Sequence, residues 1–149
     1  MSAGRTETAG DLFLDDETAW LELMSDAVRR RDVESIDWQH LSEYLGDMAR
    51  RDRREMKSRL VVLLAHLLKW TAQPNQRTRG WAATILEQSQ QLADFAGSGV
   101  LRAHAEAVLS SAFDSAVKLA AKETGLSADA FPAECPYTFD GLLAVDPTV

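Results

Sequence analysis

The spacing of apolar residues predicts a protein made of helices. Apolar positions recur three and four residues apart over residues 16–30, 79–96 and 98–124, which is typical of amphipathic helices. No window shows the sustained alternation of polar and apolar residues that a half-buried strand requires. The sequence therefore predicts the all-α class.

One long helix is predicted over residues 37–71. Asp37 is the expected N-cap, and Pro74 ends the helix because the residue before a proline is pushed out of the helical conformation. The first half has a narrow apolar stripe, formed by Trp38, Leu41, Leu45 and Met48. In the second half the stripe widens, so we expect that half to be the buried centre of the fold. A kink or break near Gly46 or residues 50–52 is the alternative to a continuous helix.

The chain outside these helices divides into two ends of different character. Residues 1–12 are small and polar, and we expect a flexible N-terminal tail before a helical core over residues 13–126. Residues 127–149 contain Pro132 and Pro136 among three aromatic residues, which predicts an irregular segment docked on the helices. The expected architecture is a single-domain bundle of about four helices around the long one, with this segment on the outside.

The charge of the chain is unevenly distributed. The net charge is −7, and the sequence pI is about 4.9. Residues 1–49 hold 4 basic and 12 acidic groups, residues 50–102 hold 10 and 4, and residues 103–149 hold 2 and 7. The overall acidity disfavours nucleic-acid binding. Opposite charges in different segments favour pairing within the chain, or with a second copy or an unidentified protein partner.

Nothing in the sequence indicates a membrane protein. The longest apolar run, residues 60–68, is far shorter than the ~20 residues that cross a bilayer. The N-terminus lacks the apolar stretch of a signal peptide, and the lone Cys135 has no partner for an intramolecular disulfide. We therefore expect no membrane association and a cytoplasmic location.

Three separated motifs resemble those of a known family. They are SRLVVLLAHLLKW at residues 58–70, RTRGWAATILEQ at residues 77–88, and ETGL at residues 123–126 followed by FPAECPYT at residues 131–138. Together they resemble the bacterial family catalogued as domain of unknown function twenty-nine, over about residues 15–146. The resemblance implies an all-helical protein with no assigned activity, so it supplies no catalytic residues. Gly80 departs from the family, which usually has serine before the residue that matches Trp81.

A polar stripe on the long helix is the first candidate site. Arg59, His66 and Lys69 are spaced to share one helix face within an otherwise apolar region. His66 is a candidate base or ligand, but we favour a structural hydrogen bond to the third helix, near Glu87. Arg59 and His66 also match the Arg-x6-His spacing of helical metal-independent ribonucleases, where such a pair binds the scissile phosphate and activates the ribose hydroxyl. That motif is short and easily matched by chance.

The turn between the long helix and the third helix is the second candidate site. Trp70, Arg77, Arg79 and Trp81 are predicted at this corner. They form either a small-ligand pocket or interface, or a core contact in which arginine stacks on tryptophan. We favour the core contact, because a buried corner needs large side chains.

Metal, thiol and phosphate chemistry are all disfavoured. No Glu-x-x-His pair of a helical di-iron site occurs, and Asp37 near His40 is better explained as a helix cap. Cys135 follows Glu134, whose carboxylate disfavours a reactive thiolate. The basic cluster of residues 50–59 surrounds the helix and alternates with acids at pairing distance, unlike a one-sided nucleic-acid footprint. No cofactor or metal is expected.

The sequence leaves the function unknown. Because no complete catalytic constellation occurs, we favour a non-catalytic helical protein for protein–protein interaction or assembly. The alternatives are the ribonuclease and a small-ligand binder near Trp70 and Trp81.

Overall fold

The computed structural model describes residues 8–148, most of which lie in six α-helices. These are α1 (Ala9–Asp15), α2 (Glu17–Arg29), α3 (Trp38–Ala72), α4 (Arg79–Phe95), α5 (Gly99–Thr124) and α6 (Phe139–Leu142). Single 3-10 turns lie at Val33–Ser35, Pro74–Gln76 and Ala128–Ala130. That part of the chain contains no β-strand, which confirms the all-α class. None of its helices is long and apolar enough to cross a membrane.

The chain forms two compact units, Met1–Arg50 and Arg51–Val149. The long helix α3 passes from one into the other and has no break at Gly46 or in residues 50–52. Asp37 precedes it as predicted, with Oδ1 accepting the backbone N–H of His40 at 3.3 Å. The prediction of one long helix is thereby confirmed in its continuous form.

The first unit is built around Trp20 of α2, which is fully buried. Phe13 of α1 meets the Trp20 ring edge-on at 4.8 Å, and Tyr44 of α3 lies 5.9 Å from it. Met24 and Ala27 extend the buried stripe of α2 at helical spacing. A small aromatic centre therefore holds three helices of this unit together.

Helix α1 corrects the predicted N-terminal tail. We expected a flexible tail up to residue 12, but α1 begins at Ala9, while residues 1–7 lie outside the described part of the chain. The Thr8 side chain accepts the Asp11 backbone N–H at 3.1 Å, and Asp11 accepts the Thr8 backbone N–H at 3.1 Å. This capping box satisfies two backbone donors at once and starts a helix in a polar sequence.

The second unit is packed around the second half of α3. Met56, Leu60, Leu63 and Leu64 are completely buried, as the wide apolar stripe predicted. They join one core cluster with Ile85 and Leu92 of α4 and with residues of α5. The predicted buried centre of the fold is therefore found in this unit.

Helix α5 contributes small side chains to the core. Its buried positions are Ala105, Ala112, Phe113, Ala116 and Ala120. Four alanines among five buried residues allow close backbone approach, as the alanine pattern predicted. The helix ends at Gly125, whose φ of 75° lies in the left-handed region. Its N–H donates to the Ala121 carbonyl at 2.9 Å, which is the hydrogen bond of an αL cap.

The C-terminal segment docks on the helices of the second unit, as predicted. Phe131, Phe139 and Leu142 are buried within the same core cluster. The buried Ser89 hydroxyl of α4 donates a hydrogen bond to the Leu142 carbonyl at 2.7 Å. Arg102 of α5 forms an ion pair with Asp140. Buried apolar side chains, one hydrogen bond and one ion pair therefore hold the C-terminal segment on α4 and α5.

Candidate functional site

The three polar candidates on α3 have different structural partners. Arg59 donates to Glu55 Oε1 at 2.8 Å, one helical turn away, and reaches Gln88 Oε1 of α4 at 3.4 Å. His66 donates through Nδ1 to the Val62 backbone carbonyl at 2.9 Å. The expected contact of His66 near Glu87 is replaced by this bond within its own helix.

Lys69 is the most enclosed of the three candidates. The residue is 7% exposed, and its Nζ donates to Glu123 Oε2 of α5 at 2.6 Å. The same ammonium lies 5.0 Å from the centroid of the Trp81 ring of α4, within cation–π range. One buried cation therefore ties α3 to both neighbouring helices, and its position is explained without a substrate.

The described contacts give these three side chains no common partner. A ribonuclease needs its arginine and histidine to converge on one phosphodiester, whereas Arg59 is directed to α4 and His66 to its own backbone. The ribonuclease hypothesis gains no support from this geometry and stays a prediction.

The corner between α3 and α4 contains two separate cation–π pairs. The Arg77 guanidinium lies 4.8 Å from the Trp70 ring, and its Nε donates to the Trp70 carbonyl at 2.9 Å. Trp81 instead faces Lys69. Arg79 is the exposed first residue of α4. Arginine stacks on tryptophan here, but Arg77 is exposed and Trp70 is half-buried, so this contact lies at the surface rather than in a buried corner. The core and ligand-binding roles of these four residues stay predictions.

The remaining sulfur and carboxylate groups offer little chemistry. Burial raises the pKa of the Cys135 thiol, and its Sγ lies 3.5 Å from the Tyr137 carbonyl, so the thiolate nucleophile is disfavoured. Within residues 8–148, no three histidine, cysteine or carboxylate side chains are grouped closely enough to hold a metal ion.

Asp37 organises a polar cluster in the first unit. Its Oδ2 accepts hydrogen bonds from Nδ1 of His40 at 2.7 Å and from Nε1 of Trp20 at 3.2 Å. Burial alone would raise the pKa of Asp37, but these hydrogen bonds outweigh it and lower the pKa from its ordinary value. The His40 ring also stacks on Phe13 at 4.4 Å. The pair that we had considered as a metal site is therefore used to hold α1, α2 and α3 together.

An apolar groove lies between α2 and the first half of α3. We call it the α2–α3 groove. It encloses about 450 Å³ and is lined by Leu21, Met24, Ser25, Val28 and Arg29 of α2 and by Leu41, Tyr44 and Leu45 of α3. Six of these eight side chains are apolar or aromatic, so the groove suits an apolar partner surface.

The comparison with protein families decides what kind of chain this is. The family described as "Domain of unknown function DUF29" matches residues 12–146, which is most of the chain. The chain belongs to the DUF29 family. Neither the comparison with curated proteins nor that with solved structures finds a match. The resemblance predicted from the three motifs is therefore confirmed, and the family description itself names no activity.

In this DUF29 chain, large apolar side chains are exposed in the α2–α3 groove, at Val28 and Leu45, and on the same face of α3, at Trp38. Trp38 and Leu45 are each 59% exposed, and Val28 is 52% exposed. Trp38 and Leu45 are two helical turns apart, so they share one face of α3. The sequence pattern had placed both on an apolar stripe, but periodicity alone does not show whether anything covers such a stripe.

The first unit also carries the whole net charge of the DUF29 chain. Met1–Arg50 contains 5 basic and 12 acidic residues, a net charge of −7, whereas Arg51–Val149 contains 11 of each and is neutral. Asp26 pairs with both Arg29 and Arg30, and Asp47 pairs with Arg50 at 2.5 Å. Most arginines of this unit are therefore matched by neighbouring acids, and the excess charge is acidic.

Proposed function

We propose that this DUF29 chain is a non-catalytic helical protein that binds another protein through the α2–α3 groove. The observation that carries the proposal is the exposure of Leu45 and Val28, which line an apolar concavity, together with that of Trp38 on the same face of α3 as Leu45. Exposed contiguous apolar surface rimmed by polar residues commonly marks a protein interface, and tryptophan is enriched among the residues that dominate binding energy.

The hydrogen bonds of the three polar candidates on α3 support the same proposal. Arg59 and Lys69 contact α4 and α5, and His66 uses Nδ1 for the Val62 carbonyl, so the three side chains are not directed at one substrate position. A catalytic base or phosphate ligand needs a directed, available polar atom near its substrate. In the first unit, by contrast, two apolar side chains that line the groove are exposed and available to bind a partner.

We place this interaction in the bacterial cytoplasm. The family resemblance supports a bacterial source. The lone Cys135, shielded from reaction by partial burial, suits a reducing compartment.

Site-specific photocrosslinking in living cells tests the proposal. A photoreactive phenylalanine analogue replaces Leu45 in the groove or, as the matched control, Val100 of α5, which is 61% exposed in the second unit. We expect a discrete crosslinked protein from position 45 that is absent from position 100. The same crosslink should disappear when Trp38→Ala is added. Equal crosslinking from both positions, or none from position 45, would remove the proposed function.

A further inference from the structure

We infer that the partner held in the α2–α3 groove is a basic amphipathic helix of a different protein. This inference rests on the proposed function and adds the chemistry of the partner. It draws on the shape of the groove, the charge around it and the composition of its rim.

The shape of the groove suits a helix. Its walls are two helices, α2 and α3, and it is lined from Leu21 to Val28 on one wall and from Leu41 to Leu45 on the other. Each wall therefore presents one to two helical turns. A volume of about 450 Å³ accommodates a few large side chains rather than a folded domain. Helices that dock in such grooves insert apolar residues at positions i, i+3, i+4 and i+7.

The negative charge of the first unit favours a partner that is positively charged. The unit that contains the groove has a net charge of −7. A neighbouring pocket that shares Leu21, Ser25 and Arg29 with the groove is also lined by Glu22 and Asp26. Lysine or arginine on the flanks of a docked helix would meet these carboxylates while the stems cover apolar surface.

The same charge disfavours a second copy of this chain. A symmetric dimer through the groove would bring together two units that each have a net charge of −7. At physiological salt the screening length is about 8 Å, so groups across an interface still repel one another. A partner of opposite charge gains attraction where a second copy encounters repulsion.

The one cation at the groove does not reverse this preference. Arg29 lines the groove, but its guanidinium is paired with Asp26, and Arg30 contacts the same carboxylate at 2.8 Å. Hydrogen bonding from Arg29 is the largest of the causes that lower the pKa of Asp26. Asp26 therefore stays ionised and balances one of these two arginines, while the first unit as a whole keeps its excess of 7 negative charges.

Fluorescence anisotropy with two model helices tests the inference on the whole protein. Both peptides have about 18 residues, which is five helical turns, and share one leucine face. One carries lysine and the other glutamate at every charged position. We expect the lysine helix to bind at least about tenfold more tightly, and its affinity to fall as salt rises from about 0.05 to 0.5 M.

Substitutions in the groove separate docking from general attraction to an acidic surface. Trp38→Ala together with Leu45→Ala should weaken the lysine helix about tenfold, whereas Val100→Ala should leave it unchanged. Leu45→Lys should weaken it more than Leu45→Glu does, since both remove the leucine and only the charge differs. All these positions are more than half exposed, so the variants are expected to fold, which circular dichroism verifies.

The outcomes distinguish this inference from the proposed function. Binding of the lysine helix that survives the double substitution, equal binding of both helices, or binding of neither would overturn the inference. A crosslinked partner at position 45 whose contact segment is neutral or acidic would also overturn it, while leaving the proposed function intact. A second copy of this chain as the crosslinked species would do the same, and sedimentation of the free chain would then show a dimer.

Discussion

Replacing Glu123 with glutamine should destabilise the second unit more than replacing its partner Lys69 with methionine. Lys69 Nζ lies 2.6 Å from Glu123 Oε2, and the two side chains are 9% and 42% exposed. Glu123→Gln leaves a buried ammonium facing a neutral amide. Lys69→Met removes the buried charge and leaves a glutamate that is nearly half in water.

The expected magnitudes follow from this unequal burial. Breaking a fully buried ion pair costs about 3–5 kcal/mol, and an exposed pair contributes about 0–1 kcal/mol. With one partner buried and the other nearly half exposed, Glu123→Gln should cost about 1–2 kcal/mol of unfolding free energy. Lys69→Met also loses the cation–π contact with Trp81, about 1 kcal/mol, but gains apolar burial, so its net cost should be below about 1 kcal/mol.

A double-mutant cycle by urea denaturation measures both effects. Tryptophan fluorescence follows Trp70 and Trp81 of the second unit together with Trp20 and Trp38 of the first, and circular dichroism follows the helices. Glu87→Gln, at an exposed position of α4, is the control for a lost carboxylate and should stay within about 0.5 kcal/mol of the parent protein. The decisive comparison is Lys69→Met added to Glu123→Gln, which should restore about 1 kcal/mol. If the double variant is less stable than Glu123→Gln alone, the unpaired buried ammonium is not what destabilises that variant, and the reasoning is refuted.

Three further substitutions test local features of the fold. Gly46→Ala should raise the unfolding free energy, measured by urea denaturation, by about 0.5–1 kcal/mol. The nearest atoms to the new methyl group belong to the flexible Arg50 guanidinium, at 3.4 Å, so the methyl group fits. A loss of stability would show that glycine is required in α3. Gly125→Ala should cost about 1–2 kcal/mol, because φ is 75° there, and an unchanged melting temperature would contradict a left-handed cap. The lowered pKa of Asp37 means that its contribution is complete above the unfolded carboxyl pKa of about 4 and is lost as the pH falls through the lower folded value. Asp37→Asn should therefore destabilise the chain at pH 7, and its effect should shrink as the pH falls below about 4; an effect that does not change with pH would assign it to packing.

The helices of the second unit were predictable because the residues that begin and end them lie close to the helix ends in the sequence. Thr78 and Ser98 cap α4 and α5 by accepting the N–H of Trp81 and Leu101, and Gly125 ends α5. Each signal lies within three residues of the helix end that it sets. The sequence therefore placed these boundaries within one or two residues of the observed ones.

Helix α1 was missed although its signal is present. Thr8 and Asp11 are spaced as a capping box, with aspartate in the position that glutamate or glutamine usually occupies. The small, polar composition of the preceding residues favoured a tail instead. The apolar contact that holds α1, between Phe13 and Trp20, depends on tertiary packing and is not evident from spacing.

The partners of the candidate residues could not be predicted from the sequence. Lys69 and Glu123 are 54 residues apart, and Ser89 and the Leu142 carbonyl are 53 apart. Such pairs depend on how the helices face one another, which helical periodicity does not determine. Periodicity placed Lys69 on the correct stripe of α3, but only the packing of α5 shows that this stripe is structural.

The long helix α3 links two kinds of surface that respond differently to mutation. Past Arg50, Arg59 and Lys69 contact α4 and α5 and the apolar stripe from Met56 to Leu68 is buried, so substitutions of their partners, such as Glu123→Gln, act on stability. Before Arg51, Trp38 and Leu45 contribute little to the buried core, and their substitution should leave stability within about 0.5 kcal/mol. Two large apolar side chains that the fold does not require, held rigidly on a helix in an acidic unit, are better explained by binding than by folding. The contrast between these two effects is therefore the strongest argument for an interaction function.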